Sequence, residues 1–489
     1  MAKFNSPSEN TIKTVNKSGH AAYSMNDKDL LVTQVLTSFF NEKKFYGDNS
    51  EEIEETIDRV IVNDPEFVYK LAVFARREFN MRSIAHVLVA HLAHAIEGKP
   101  FTESAVRGVT LRGDDATEVM ACYISKYGKP IPNSLKRGIA SVMKGFDEYT
   151  LAKYKGSGKS VKMRDLLCLC HPKPKNQEQA DLWKRCLENK LQVPNTWETQ
   201  LSAHGNNTET WEKLIESGDL GYMAMLRNLR NIISAAPKNL SDVFAKLRDP
   251  EAVRKSKQLP FRFLSAYRAL KNGGVVGSRV YDTLEDAIDA SVENLPKIPG
   301  TSVIAIDTSG SMTFSRVSGN SDVHPVDIAV MLGIIANRIC ENAIVYTFDN
   351  VLGTITASHR DGILSTVEHF NARGGGTDMT LPFNEMIRKN IQADRIIILS
   401  DNECNCDYSY WGCKTVQSIA NEYRKITGND IWVHAVDLEG YGTQQFHGSK
   451  TNIIAGWSDK IFEFILLAEE GTETLKDRIR NYTWNDRLS

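Results

Sequence analysis

The chain has no long apolar run: IAVMLGII and RIIILS, the longest, fall well short of the roughly 20 residues that a membrane-spanning helix needs. Its opening residues, MAKFNSPSENTIKTVN, contain no apolar core of the kind a secretory signal carries. Cysteine is sparse, with 8 in 489 residues, which excludes a disulfide-stapled scaffold and points to a reducing, cytoplasmic setting with no membrane attachment. Neither sign of charge dominates either. The 59 Lys+Arg and 61 Asp+Glu leave a net −2, so the chain as a whole is not a polycation built for nucleic acid. The balance is uneven along the sequence, however: residues 1–300 hold 43 basic and 37 acidic side chains, and residues 301–489 hold 16 and 24. With 42% hydrophobic and 25% charged residues, the composition is globular and the length suits two to four domains.

Residues 1–298 read as one amphipathic helix after another. LLVTQVLTSFF (30–40), EEIEETIDRVIV (51–62), PEFVYKLAVFARREF (65–79) and SIAHVLVAHLAHAIEG (83–98) all place apolar residues at i, i+3, i+4 and i+7. Short turns such as GDNS, NDP and GKP separate them, which suggests stacked helix pairs, although no strict repeat length is present. The texture changes at NLPKIPGT (294–301). Beyond it, in residues 299–489, short β-branched runs (SVIAID, AIVYTFD, RIIILSD, IWVHAVDL) alternate with helical stretches, the pattern of a doubly wound, mostly parallel α/β sheet.

The first of those strands ends in Asp307-Thr308-Ser309-Gly310-Ser311, and ligands of open α/β sheets gather at the carboxyl ends of strands. A carboxylate beside two alternating hydroxyls is a hard oxygen set suited to Mg²⁺ rather than zinc. Thr377 on the GGGTDM loop and Asp401 after RIIILS complete the pattern D-x-S-x-S … T … D. It resembles the metal-ion-dependent adhesion site of von Willebrand factor A domains. That resemblance implies that Ser309 and Ser311 ligate Mg²⁺ directly, that Thr377 does so directly or through water, and that Asp307 and Asp401 act mostly through bridging waters. Few first-shell charges would leave the cation able to take a carboxylate from a partner. The plainer alternative is that Asp307 and Ser309 only cap the next helix. No general base accompanies the motif, so it does not predict catalysis.

Three other signals are weaker. Gly156-Ser157-Gly158-Lys159-Ser160 looks like the end of a phosphate loop, but the position five residues before Gly158 is Lys153, not glycine, and a helix rather than a buried strand precedes it. His86, His91 and His94 fall on one helix with no acidic neighbour in sequence, which favours core or interhelical packing. Cys404 and Cys406, with Cys413, are too few and too tightly spaced for a zinc knuckle, and Cys168-Leu169-Cys170-His171 is no better a metal set.

Residues 126–175 are different: 12 Lys+Arg stand against 3 Asp+Glu, with Tyr127, Tyr154 and His171 interleaved. Such clustering is the footprint of phosphate-backbone contact, although a charge run can also be just a solvated face. Gly156 and Gly158 would let a backbone approach a phosphate closely.

Taken in order, GHAAY, PIPNSLKRG, KMRDLLCLCHPKP, MLRNLRNI, LPFRFLSAYRAL and an A-type domain with GGGTDMTLP and SDNE resemble the Ro autoantigen family, whose helical module is called TROVE. The compact length is closer to bacterial or phage members. The resemblance implies a ring of HEAT-like helical repeats with a basic hole, closed by the von Willebrand A domain. It also implies a monomer that binds Y RNA outside the ring and single-stranded 3′ ends of misfolded noncoding RNA in the hole, as a ribonucleoprotein scaffold in RNA quality control. An exoribonuclease tethered through the RNA is an implied partner. Matching KY-K … RDLL … H assigns Lys153, Lys155 and His171 to RNA contact. A one-residue insertion leaves the next basic position between Ser157 and Lys159, and Lys136 and Arg137 of PIPNSLKRG join the candidates. Two rivals stand beside this reading: a helical assembly protein using its metal site on acidic ligands, and a Mg²⁺-dependent RNA hydrolase. The latter would need several direct carboxylates to hold two ions, and the motif offers mainly hydroxyls.

Overall fold

The computed structural model describes residues 12–15, 21–24, 26–37, 50–156, 158–274, 277–315, 323–355, 361–402, 404, 415–438, 443–447, 450–458 and 460–485. The chain forms two compact units. One comprises residues 27–36, 49–200 and 472–489; the other comprises 1–26, 37–48 and 201–471.

In the first unit the amphipathic periodicity is realised as helices Ser50–Asn63, Pro65–Arg77, Ser83–His94, Lys99–Val109, Gly113–Tyr127, Asn133–Met143, Glu148–Lys153, Met163–Cys170 and Gln177–Leu187. Their ends follow local chemistry. Asp64 caps Pro65–Arg77 by accepting the Phe67 N–H at 3.1 Å, with proline at the first helical position and Arg76 and Arg77 in the last turn. Gly138 lets Asn133–Met143 close on Lys99–Val109, since a Cβ there would lie 2.9 Å from Val106 Cβ. Residues from the far end of the chain complete this unit. The Lys70 ammonium donates to the Tyr482 carbonyl at 2.8 Å, and Arg77 sits 4.6 Å over the Trp484 ring.

The second unit holds the helices from Thr208–Glu216 to Ser278–Val292 and two sheets. The small one is antiparallel: β1 (Ile12–Val15), β2 (Ala21–Ser24) and a two-residue strand, β8 (Thr443–Gln444). The large one is built from β3 (Ile298–Asp307), β4 (Cys340–Phe348), β5 (Leu352–Thr354), β6 (Arg395–Ser400), β7 (Trp432–Asp437) and β9 (Thr451–Ala455), in the order β5-β4-β3-β6-β7-β9. All its pairings are parallel except β5 on β4 at the edge. Every residue of β6 is buried, as expected of a parallel strand covered on both faces.

The sheet starts at Ile298, where the texture of the sequence changes, yet the compact unit reaches back to residue 201. Glu285 shows why: its carboxylate accepts the Leu364 and Ser365 N–H groups at 3.0 and 3.1 Å, capping a helix of the α/β layer from a helix before it. Arg268 pairs with Asp327 at 3.0 Å, and Phe261 packs on Trp457 with ring centroids 4.8 Å apart.

Candidate metal centre and candidate nucleic-acid interface

β3 runs first, β4 lies on one side of it and β6 on the other, so the carboxyl end of β3 is the topological switch point of the sheet. Asp307 ends β3 and is fully buried. The Ser309 N–H donates to its Oδ1 at 2.8 Å, and the Ser400 hydroxyl at the end of β6 donates to its Oδ2 at 2.6 Å. The same turn brings Ser309 Oγ and Ser311 Oγ to 3.2 Å, a separation that two ligands of one cation can share. The glycine loop is tied to this turn through its backbone: Gly310 N–H donates to Gly375 O at 2.8 Å, and Gly374 N–H to Thr308 O at 3.1 Å. That fixes the approach of Thr377, which is buried and whose carbonyl accepts the Cys404 thiol at 3.4 Å. Cys404 therefore links the segment after Asp401 back to the Thr377 loop. Cys406 and Cys413 lie outside the described residues.

Asp401 is also buried, and its charge reaches Asp307. Burial first, and then the Asp401 carboxylate, push Asp307 well above the usual carboxylate range. Two buried acids with hydroxyls around them are a hard-oxygen set that a divalent cation would relieve, so the residues fit Mg²⁺. The structure thus gathers four of the five positions at the neighbouring ends of β3 and β6 and ties the loop bearing Thr377 to them.

The basic segment belongs to the other unit. The helix Glu148–Lys153 is capped by Asp147, whose carboxylate accepts the Thr150 N–H at 2.8 Å. After it, a loop closes on itself: Lys159 N–H donates to Gly156 O at 3.0 Å, and Met163 N–H to Lys155 O at 3.2 Å. Gly156 and Gly158 hold left-handed backbones at φ 79° and 81°, which explains glycine at both. Lys153, Lys155, Lys159 and His171 are all exposed, and His171 ends the helix Met163–Cys170 in a left-handed conformation. The Lys153 ammonium donates to Tyr149 Oη at 3.1 Å and lies 5.2 and 5.6 Å from the Tyr149 and Tyr154 rings. The Tyr149 hydrogen bond raises its pKa, keeping it charged.

Two of the candidates already carry acidic partners: Lys159 pairs with Glu118, and Arg137 with Glu103 at 3.4 Å. Exposed pairs of this kind contribute little to stability. Lys136, half-buried, and Arg137 sit on the separate helix Asn133–Met143. Tyr127 corrects the sequence reading. It is not an outward-facing aromatic of the basic stretch, because its ring stacks on His94 at 3.8 Å and meets His91 edge-on at 5.6 Å. Sequence reasoning missed Tyr149, half exposed, and Arg112, which lies 5.4 Å from the Tyr154 ring. Tyr149 lay four residues before Lys153, one helical turn away, and could have been found by that spacing. Arg112 is too distant in sequence to have been.

The segments carrying these features match known families. The TROVE domain model matches residues 23–189 and 184–277, more than half the chain, and the Ro60 vWA domain model matches residues 301–430. The chain belongs to the Ro family of TROVE-domain proteins. Telomerase protein component 1 of Rattus norvegicus is 26% identical over 327 residues, covering 49% of this chain and 12% of that protein. The RNA-binding protein RO60 of Deinococcus radiodurans is 26% identical over 215 residues, covering 41% of this chain and 40% of that protein. The chain therefore spans well under half the length of these curated relatives. The crystal structure of the Deinococcus radiodurans RO (RSR) protein superposes with a TM-score of 0.66 over 93% of this chain and 99% of that one. At 17% identity, that likeness is one of fold.

Proposed function

We propose that this Ro-family chain is a non-enzymatic RNA-binding protein. It carries a small, stem-rich RNA of the Y type on the exposed basic surface of its helical unit and engages unpaired 3′ ends of misfolded noncoding RNAs. The observation that supports this best is the cluster of exposed cations within the TROVE-matched residues: Lys153, Lys155, Lys159 and His171 on one loop and the helix end that follows it. The name of the Deinococcus radiodurans relative points the same way. RNA stems are held through phosphates and shape, while unpaired ends are held by stacking and basic grooves, so neither task needs a covalent step.

In this reading Ser309, Ser311 and Thr377 hold Mg²⁺, with Asp307 and Asp401 behind them. The ion would supply a site for a carboxylate of a protein partner, and Lys136 and Arg137 extend the RNA surface. The protein works as a cytoplasmic monomer, scaffolding the RNA for an exoribonuclease. Purification from its native cell at modest salt, with sequencing of the RNA that accompanies it, tests the proposal. One abundant, stem-rich small RNA is expected, and it should be absent from the Lys153→Ala/His171→Ala double variant. Purification free of RNA would favour the protein-assembly reading instead.

A further inference from the structure

Beside the basic loop, the helices Gly113–Tyr127 and Met163–Cys170 and the residues just outside them line an open hollow of about 560 Å³. Its volume lies in the range of sites that take small ligands. Ala121, Ile124, Val161 and Leu169 give it apolar surface. Ser125, Ser160 and Asp165, whose Oδ2 also accepts the Lys162 N–H at 2.9 Å, supply polar lining, and Lys129, which is exposed, lines it too. A second hollow of about 280 Å³ shares Ala121, Ser160 and Val161 with it and extends it to Lys159 and Glu118. The two adjoining hollows together offer apolar wall, hydroxyl and carboxylate acceptors, with Lys129 lining one and Lys159 the other.

We infer that this groove seats an unpaired nucleotide of the bound RNA, an inference that rests on the RNA-binding reading. The chemistry matches part by part. A base presents an apolar face to Ile124, Val161 and Leu169, and its exocyclic amino or ring N–H can donate to Asp165 or a serine hydroxyl. The phosphates on either side reach Lys129 and Lys159, the latter exchanging its Glu118 partner for the phosphate. A paired base could not enter, because its edge is occupied and its faces are stacked. The groove therefore distinguishes a stem with an unpaired flank from a blunt stem.

Cys168 reports on occupancy, because it lines the cavity and its side chain is exposed, whereas Cys170, Cys186, Cys340 and Cys404 are buried. The full-length protein is titrated with a hairpin RNA carrying a single-stranded tail and with the same hairpin made blunt, and N-ethylmaleimide labelling is followed on the Cys168 peptide. At a tailed-RNA concentration of about ten times the measured Kd, about a tenth of the sites are free, so labelling should slow about tenfold. The blunt hairpin at equal occupancy should leave the rate unchanged. Ser125→Trp, at an exposed wall position, should lower affinity for the tailed RNA to that of the blunt one. Tailed RNA that binds without protecting Cys168, or blunt RNA that protects it equally, would overturn the groove and leave RNA binding intact. Failure of both RNAs to bind would overturn the RNA-binding reading and the groove with it.

Discussion

Asp115 has no exposed surface and gathers the ends of several helices onto one carboxylate. It accepts from Arg76 at 3.1 Å, Arg82 at 2.7 Å and the Leu111 and Arg112 N–H groups at 3.0 and 2.8 Å, and His86 Nε2 lies 3.0 Å away. Burial alone would raise its pKa; the His86 hydrogen bond and the charges of His86, Arg76 and Arg82 instead hold it far below the carboxylate range. Asp115→Ala strands the buried Arg76, so a loss of about 3–5 kcal/mol is expected in chemical denaturation. A loss below about 1 kcal/mol would show that the network is not structural. His86 was legible in the sequence as a packing residue, but its acid was not, because the partner lies 29 residues on. His91 is similar: its Nδ1 sits 2.5 Å from Asp58 Oδ1, 33 residues away and on an earlier helix. Periodicity shows which face of a helix is buried, not which polar residue of a neighbour meets it.

Among the elements, the strands of the large sheet were the most legible, because continuous β-branched runs admit few other environments. RIIILS became β6 over Arg395–Ser400, and IWVHAVDL contains β7 over Trp432–Asp437. β1 and β8 were not legible: they are four and two residues long, too short to carry a pattern, and they are strands through their pairing with β2. One consequence of the parallel core concerns acid stability. His434 on β7 is fully buried, and its Nε2 lies 2.9 Å from Glu469 Oε1, which also accepts from Arg395 at 2.6 Å. Burial would raise Glu469, but the His434 and Arg395 bonds hold it down to about 2 from an ordinary 4.5. Because the folded pKa is the lower one, its contribution is fully present above about 4.5 and drains away as pH falls toward about 2. Burial also lowers His434, so protonating it acts in the same direction. In a His434→Gln background, which removes the imidazole's own titration, urea midpoints measured between about pH 6 and about pH 3 should fall less steeply with Glu469→Gln than without it. Parallel curves would contradict this.

For the whole molecule, the order of motifs along the chain carried the family, and the D-x-S-x-S pattern marked the strand end it occupies. The compact units were not legible, because neither is a continuous segment. Residues 472–485 complete the unit of residues 49–200 through pairs such as Tyr482 with Glu78 at 2.7 Å, and Trp484 with Arg77. No local signal in the sequence anticipates partners some 400 residues apart. In the proposed division of labour, cations of the helical unit hold RNA and the hydroxyl-rich centre of the α/β layer does not. The most direct test is the salt dependence of RNA affinity for the parent, Lys153→Ala/His171→Ala and Ser309→Ala proteins. Each cation removed from an RNA phosphate should reduce the slope of log K against log salt by about 0.7–0.9. A weaker affinity and a shallower slope are expected for the double variant, with Ser309→Ala matching the parent in both. The opposite pattern, with binding abolished in Ser309→Ala and kept in the double variant, would contradict it.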